Sequence, residues 1–155
     1  MIVNPSALAT LQSEWRGVVR MRERVRRLVV STFAFDDKQS PTFGDVLYNL
    51  PLILAFDVLT KVLLLAKEDG LFTSPGTQLH ELIDSATTAF SWLDWKYLRE
   101  AAQQRNEVAQ TAKLFGDLQC LLYIARIEDQ LIAWGIIAAA EPAVPKSAMS
   151  FREGF

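Results

Sequence analysis

The sequence predicts an all-α fold, an antiparallel bundle of five to six helices, from three observations. Apolar residues recur at steps of three, four and seven, the period of a helix that buries one side. Proline, glycine and capping residues fall at the ends of those stretches and leave short connections between them. No stretch shows sustained apolar–polar alternation bounded by turn signals, so no sheet is expected.

The first helix is expected from about Ser6 to Phe33, with Leu8, Leu11, Trp15, Val18, Val25 and Val29 as its stripe. Pro5 suits a first turn, where a missing N–H costs nothing, and Asn4 suits the N-cap before it. The helix should fade near Asp36-Asp37-Lys38. A second helix starts at Thr42, whose spacing to Asp45 resembles a weak capping box. Pro51 then either kinks it or starts a new helix capped by Asn49. From Leu52 to Ala66 apolar residues cover nearly every face, which places this helix at the bundle centre. Asp57 and Lys61 stand four apart as an ordinary structural ion pair, and Asp69-Gly70 ends the helix.

Leu71 to Gly76 reads as a loop. A shorter helix opens at Gly76 or Thr77 and turns Leu79, Leu82, Ile83, Ala86 and Phe90 to one side. After a break near Ser91 to Asp94, with Asp94 as N-cap, the next helix runs from Trp95 to about Phe115. Gly116 or Asp117 separates it from a last helix, Leu118 to Ala139, stopped by Pro142 and Pro145. Residues 1–140 therefore read as one domain and 141–155 as a C-terminal tail.

Composition narrows the function. The chain has 155 residues, half of them apolar, which suffices for one core without disulfides or a structural metal. A net charge of −2 gives no overall field for nucleic acid or membrane, so any anion-binding surface is local. Cys120 is the one cysteine and His80 the one histidine, so neither an internal disulfide nor a common zinc site is available. No glycine-rich phosphate loop occurs, and no cofactor is expected. The N-terminus lacks the pattern of a signal peptide. The longest apolar stretch, Leu50 to Ala66, is interrupted by Asp57 and Lys61 and is not expected to span a membrane; a cytoplasmic protein is the plain expectation.

Two sets of residues could carry chemistry. In the first helix Arg16, Arg20, Arg24 and Arg27 repeat at steps of four and three, a guanidinium row that suits an RNA backbone or an acidic partner. A solvated face paired with neighbouring acids is the plainer account of the same pattern. The second set is the run Arg105-Asn106-Glu107-Val108-Ala109-Gln110. It resembles the signature of the HEPN family of small helical bundles: arginine, asparagine, two variable residues, alanine, histidine. Arg105, Asn106 and Ala109 match, and Gln110 stands where that signature has histidine. The surrounding order is also similar across about Thr42 to Ile137: an apolar helix with Asp57 and Lys61, then a short leucine-rich helix. An approach bearing Trp92 and Trp95 leads to the motif, and a long final helix with Trp134 follows it.

The resemblance implies a metal-independent ribonuclease ancestry, in which two protomers pair so that both motifs line one cleft. The arginine would contact the scissile phosphate and the histidine would move protons. Glutamine forms hydrogen bonds but does not titrate, so Gln110 removes the acid–base group, a contribution typically worth about 10²–10⁴-fold. The expectation is a catalytically inactive homodimer whose vestigial site, Arg105, Asn106 and Gln110, binds RNA, a nucleotide or an antitoxin-like protein in a toxin–antitoxin or defence setting. Two alternatives stand beside it. One is an active ribonuclease using Glu107 or a displaced His80 as base. The other is a helical dimerisation or scaffold module, for which exposed tryptophans would serve as interface.

Overall fold

The computed structural model describes residues 1–35, 42–111 and 114–139, and the side chains among these other than those of 32–35, 42–46 and 108–111. The described residues form five helices and no strand: α1 (Pro5–Phe35), α2 (Thr42–Glu68), α3 (Leu79–Ala86), α4 (Trp95–Thr111) and α5 (Asp117–Ala133). The expected Thr42–Asp45 capping interaction, the fading of α1 beyond Phe35 and the tail from residue 141 lie outside the described residues.

Local chemistry sets most of the boundaries. Asn4 caps α1, its Oδ1 accepting the backbone N–H groups of Ser6 at 2.9 Å and Ala7 at 3.3 Å. Asp94 does the same for α4 through Tyr97 N–H at 3.2 Å. Gly70, at φ +77°, ends α2 in a Schellman turn: its N–H reaches Lys67 O and Leu71 N–H reaches Ala66 O, both at 3.0 Å.

Five boundaries differ from the sequence reading, one being the start of α3, which opens at Leu79 after Gln78 rather than at Gly76 or Thr77. Pro51 lies inside α2, which is continuous from Thr42 to Glu68, so of the two alternatives the new helix does not form. Asn49 is therefore no N-cap. It is buried mid-helix, where Nδ2 donates to Phe115 O at 2.9 Å and Oδ1 accepts Phe115 N–H at 3.3 Å. Helix α3 ends at Ala86 rather than near Phe90, although Phe90 still packs edge-on to Phe72 and Trp134. Helix α4, described to Thr111, has ended by Leu114, short of Phe115. Helix α5 ends at Ala133, six residues early, because Gly135 at φ +73° turns the chain. Gly135 N–H bonds Ile132 O and Ile136 N–H bonds Leu131 O, both at 2.9 Å, and Ile136 is folded back into the core.

Consecutive long helices alternate in direction. Glu14 meets Lys61 while Arg26 lies near Tyr48, so α1 and α2 are antiparallel. Gln104 meets Tyr123 while Tyr97 meets Arg126, so α4 and α5 are antiparallel. Helices α2 and α5 consequently run the same way, with Asn49 beside Phe115 and Phe56 beside Tyr123. Helix α2 occupies the centre, packed on α1, α5 and α3. Its Leu52, Ala55, Phe56, Leu59, Val62, Leu63 and Ala66 are almost fully buried, and each large aliphatic so placed contributes roughly 1.5–3 kcal/mol. The segment Leu47–Glu68 is long and apolar enough to cross a membrane by length and composition; its most apolar stretch is 56% buried within the bundle, while Leu50, Ile53 and Leu54 are exposed.

The Asn49 clamp is the point where α2 holds the start of α5. Asn49→Ala leaves both Phe115 backbone groups without this partner in a buried site and should cost about 1–3 kcal/mol in urea unfolding, with faster hydrogen exchange at the Phe115 amide. An unchanged unfolding midpoint would show that the clamp contributes nothing.

Candidate functional site

The motif run lies in the second half of α4, whose inward face carries Leu98, Ala101 and Ala102. At about 100° per residue Arg105 continues that face, an unusual register for a guanidinium. It is half-buried, with Cζ 5.5 Å from the centroid of the Phe56 ring beneath it. A cation over an aromatic face is worth about 0.5–2 kcal/mol, which offsets part of the cost of the position. Among the described residues Arg105 meets no carboxylate and no hydrogen-bond acceptor. Its donors are uncommitted.

Asn106 is turned about 100° from Arg105, toward α3. Its Nδ2 donates to Gln78 Oε1 at 3.2 Å and lies 2.9 Å from His80 Nδ1. An amide NH₂ only donates, so Nδ1 is the accepting nitrogen and a neutral His80 ring carries its proton on Nε2. That Nε2 stands 4.0 Å from Glu81 Oε1. Gln110 follows one turn after Asn106 on the same side of α4, but its side chain is outside the described set.

From the sequence His80 reads plainly as a surface or helix-end residue, and on the ribonuclease reading as a displaced base for the motif. It does sit in the first turn of α3, yet it is three-quarters covered and touches Asn106. Gln78, the residue before α3, was not singled out at all. One signal could have found both. A short break between α3 and α4 implies an antiparallel pair, and such a pair sets the start of α3 beside the later part of α4. The ion pair of Asp84 with Arg99, at 2.7 Å, fixes that register from the other end of α3.

The arginine row is elsewhere. Leu11, Trp15, Val18 and Val25 form the buried side of α1, and Arg16, Arg20, Arg24 and Arg27 stand opposite, all exposed. Arg16, Arg20 and Arg24 make no hydrogen bond or ion pair among the described residues, whereas Arg27 shares Glu23 with Arg26. The hydrogen bonds from Arg26 hold the Glu23 carboxyl at about 2, well below the usual carboxylate range. All four thus lie on a solvated face, and among the described residues Arg27 is the one of them paired with an acid. The expected Asp57–Lys61 pair forms at 3.0 Å, and Glu14 joins it at 3.0 Å; hydrogen bonds to Glu14 and Asp57 raise the Lys61 ammonium above its ordinary value.

The tryptophans that the scaffold reading takes as exposed are partly covered, Trp92, Trp95 and Trp134 all packing against the core. Trp15 is buried, and Trp92 and Trp134 stack edge-on at 4.7 Å. Their indole N–H groups are satisfied, Trp92 by Ala86 O and Trp134 by Ser91 O. An open cleft of about 570 Å³ separates α4 from α5, lined by Tyr97, Glu100, Gln104, Asp117, Leu118 and Tyr123 among others. There the Tyr123 hydroxyl donates to Gln104 Oε1 and accepts from Gln119 Nε2, and burial raises its phenol above the ordinary value.

No protein-family model matches the chain, nor does any curated protein or any solved structure. The case for function therefore stands on the residues themselves. Among the described residues no three His, Cys, Asp or Glu side chains gather as a metal set. What α3 and α4 do assemble is a guanidinium with free donors next to an amide–imidazole–amide cluster.

Proposed function

We propose that this chain is a HEPN-like helical domain that binds RNA, or a nucleotide, by its phosphate without cutting it. The observation that carries this reading is Arg105: half-buried, supported by the Phe56 ring, and free of any acid among the described residues. A partly desolvated guanidinium with unused donors is a good receptor for a phosphate, whose oxygens match its fork. Gln110 supports binding over cleavage, since it cannot exchange a proton. Action as a pair of copies, in a toxin–antitoxin or defence setting, rests on the resemblance of the motif. The mass of the protein in solution tests the pairing.

Binding of single-stranded RNA at two salt concentrations tests the phosphate contact. Arg105→Ala should weaken binding at low salt by about tenfold and lower the salt slope by roughly 0.7, the share of one phosphate on a single strand. Joint replacement of Arg16, Arg20 and Arg24 by alanine reports on the α1 row separately. An RNA affinity that ignores Arg105→Ala at both salts would rule the reading out.

One observation favours a second reading. His80 brings an imidazole to the motif from another helix, with Nδ1 2.9 Å from Asn106 Nδ2. Imidazole is the side chain suited to proton transfer near neutral pH, so His80 could replace the missing histidine in cleavage. In metal-free buffer, cleavage of RNA that His80→Ala abolishes would select this reading over simple binding.

A further inference from the structure

We infer that Asn106 makes the site selective for ribose over deoxyribose, by holding a fixed acceptor toward the 2′-hydroxyl of the nucleotide whose phosphate Arg105 binds. The inference rests on the phosphate-binding reading and adds a sugar to it. It begins with the hydrogen-bond capacity of one amide. The Asn106 NH₂ has two N–H bonds, and two acceptors take them: Gln78 Oε1 at 3.2 Å and His80 Nδ1 at 2.9 Å. Nothing is left on that side to donate to a ligand. Oδ1 accepts no hydrogen bond among the described residues. Nor is it sealed off, since Glu14 Oε2 is the one fully buried, unpartnered side-chain polar atom found among them.

The amide turns over only together with both of its neighbours. Reversed, Oδ1 would lie between the Gln78 oxygen and the His80 lone pair, three acceptors together. Relief would need Gln78 to rotate its own amide and His80 to move its proton to Nδ1, so three groups must change at once. Both anchors come from the start of α3, on a short helix held to α4 by Asp84 and Arg99. Gln78 and His80 are thus positioning residues that decide which end of Asn106 faces outward.

Two successive residues therefore offer opposite things. Arg105 can only donate, which suits a phosphate; Asn106, so anchored, can only accept. Along a nucleic-acid backbone the phosphates and deoxyribose carry no donor. The ribose 2′-hydroxyl is the one backbone group that does, and it distinguishes RNA from DNA at a protein site.

The test compares three oligonucleotides of identical base: oligo(U), oligo(dU) and 2′-O-methyl oligo(U). The methylated strand keeps the sugar oxygen and loses the donor. Wild-type protein should bind oligo(U) roughly five- to tenfold more tightly than the other two, the range of one neutral hydrogen bond. Asn106→Ala should bring oligo(U) down to the level of oligo(dU), with oligo(dU) affinity within about twofold of wild type, which also shows that the fold and the phosphate contact survive. The double variant Gln78→Ala, His80→Ala should reduce the preference without changing oligo(dU) affinity, and should move the side-chain amide resonances of Asn106. Equal affinity of the wild type for oligo(U) and its methylated form would overturn the inference, as would a preference that Asn106→Ala leaves intact. If none of the three strands binds at low salt, the phosphate-binding reading falls, and this one with it.

Discussion

Phe56→Ala is expected to lower folding stability by about 3–5 kcal/mol and, in the same step, to weaken RNA binding. The ring is 1 % exposed at the centre of α2 and packs on Tyr123 from α5 while lying under the Arg105 guanidinium. Removing it opens a cavity between two helices and leaves Arg105 above aliphatic surface with no ring to face. Chemical denaturation reads the first effect. Phe56→Leu separates the second, because leucine refills most of the volume without a π-face and should cost far less stability. If Phe56→Leu binds RNA as wild type does, the ring supports the fold alone and Arg105 needs no aromatic platform.

The second large effect is expected at Gln130. This side chain is fully buried on α5, yet both ends of its amide are used: Oε1 accepts Leu93 N–H at 2.8 Å and Nε2 donates to Ser91 O at 3.3 Å. It thereby ties down the chain just before α4, where Trp134 also donates to Ser91 O at 2.7 Å. Gln130→Leu has a similar volume and cannot bond either group. The loss should be about 1–3 kcal/mol, mostly from the Leu93 amide, since Ser91 O keeps the indole as partner. Hydrogen exchange at Leu93 should quicken alongside the lower unfolding midpoint. Equal stability of Gln130→Leu and wild type would mean that the segment relaxes to water at no cost.

The helical bundle was legible because its signals are local. Asn4, Asp94 and Gly70 act within a turn of where they stand, and the apolar step pattern reports burial directly. Gly135 was as legible as Gly70, but the apolar run Ile136-Ile137-Ala138-Ala139 after it reads as more helix. Those isoleucines are buried by folding back over the end of α5, which periodicity does not distinguish from continuation. At Pro51 the sequence leaves a kink and a new helix both open, and the continuity of α2 removes the second. Asn49 and Gln130 were invisible as clamps, their partners being 66 and 37 residues away. At the candidate site, Arg105 and Asn106 were legible from motif spacing alone. The junction of Asn106 with His80 and Gln78 depends on the register of α3 against α4, which no single residue encodes.

The clamps and the site also differ in how far along the chain they reach. Trp15 bonds Glu128 across 113 residues and Gln12 bonds the carbonyl of Ile136 across 124, so α1 closes the bundle through loops nearly as long as the domain. The bonds from Asn106 to His80 and Gln78 span only 26 and 28. Loop-closure entropy and contact order make the α3–α4 hairpin an early, local unit of assembly, with the seating of α1 among the late steps. On this ordering the Asn106 cluster belongs to a cooperative segment that can open and reclose without unseating α1, and a ligand joining α3 to α4 would first slow the exchange of that segment.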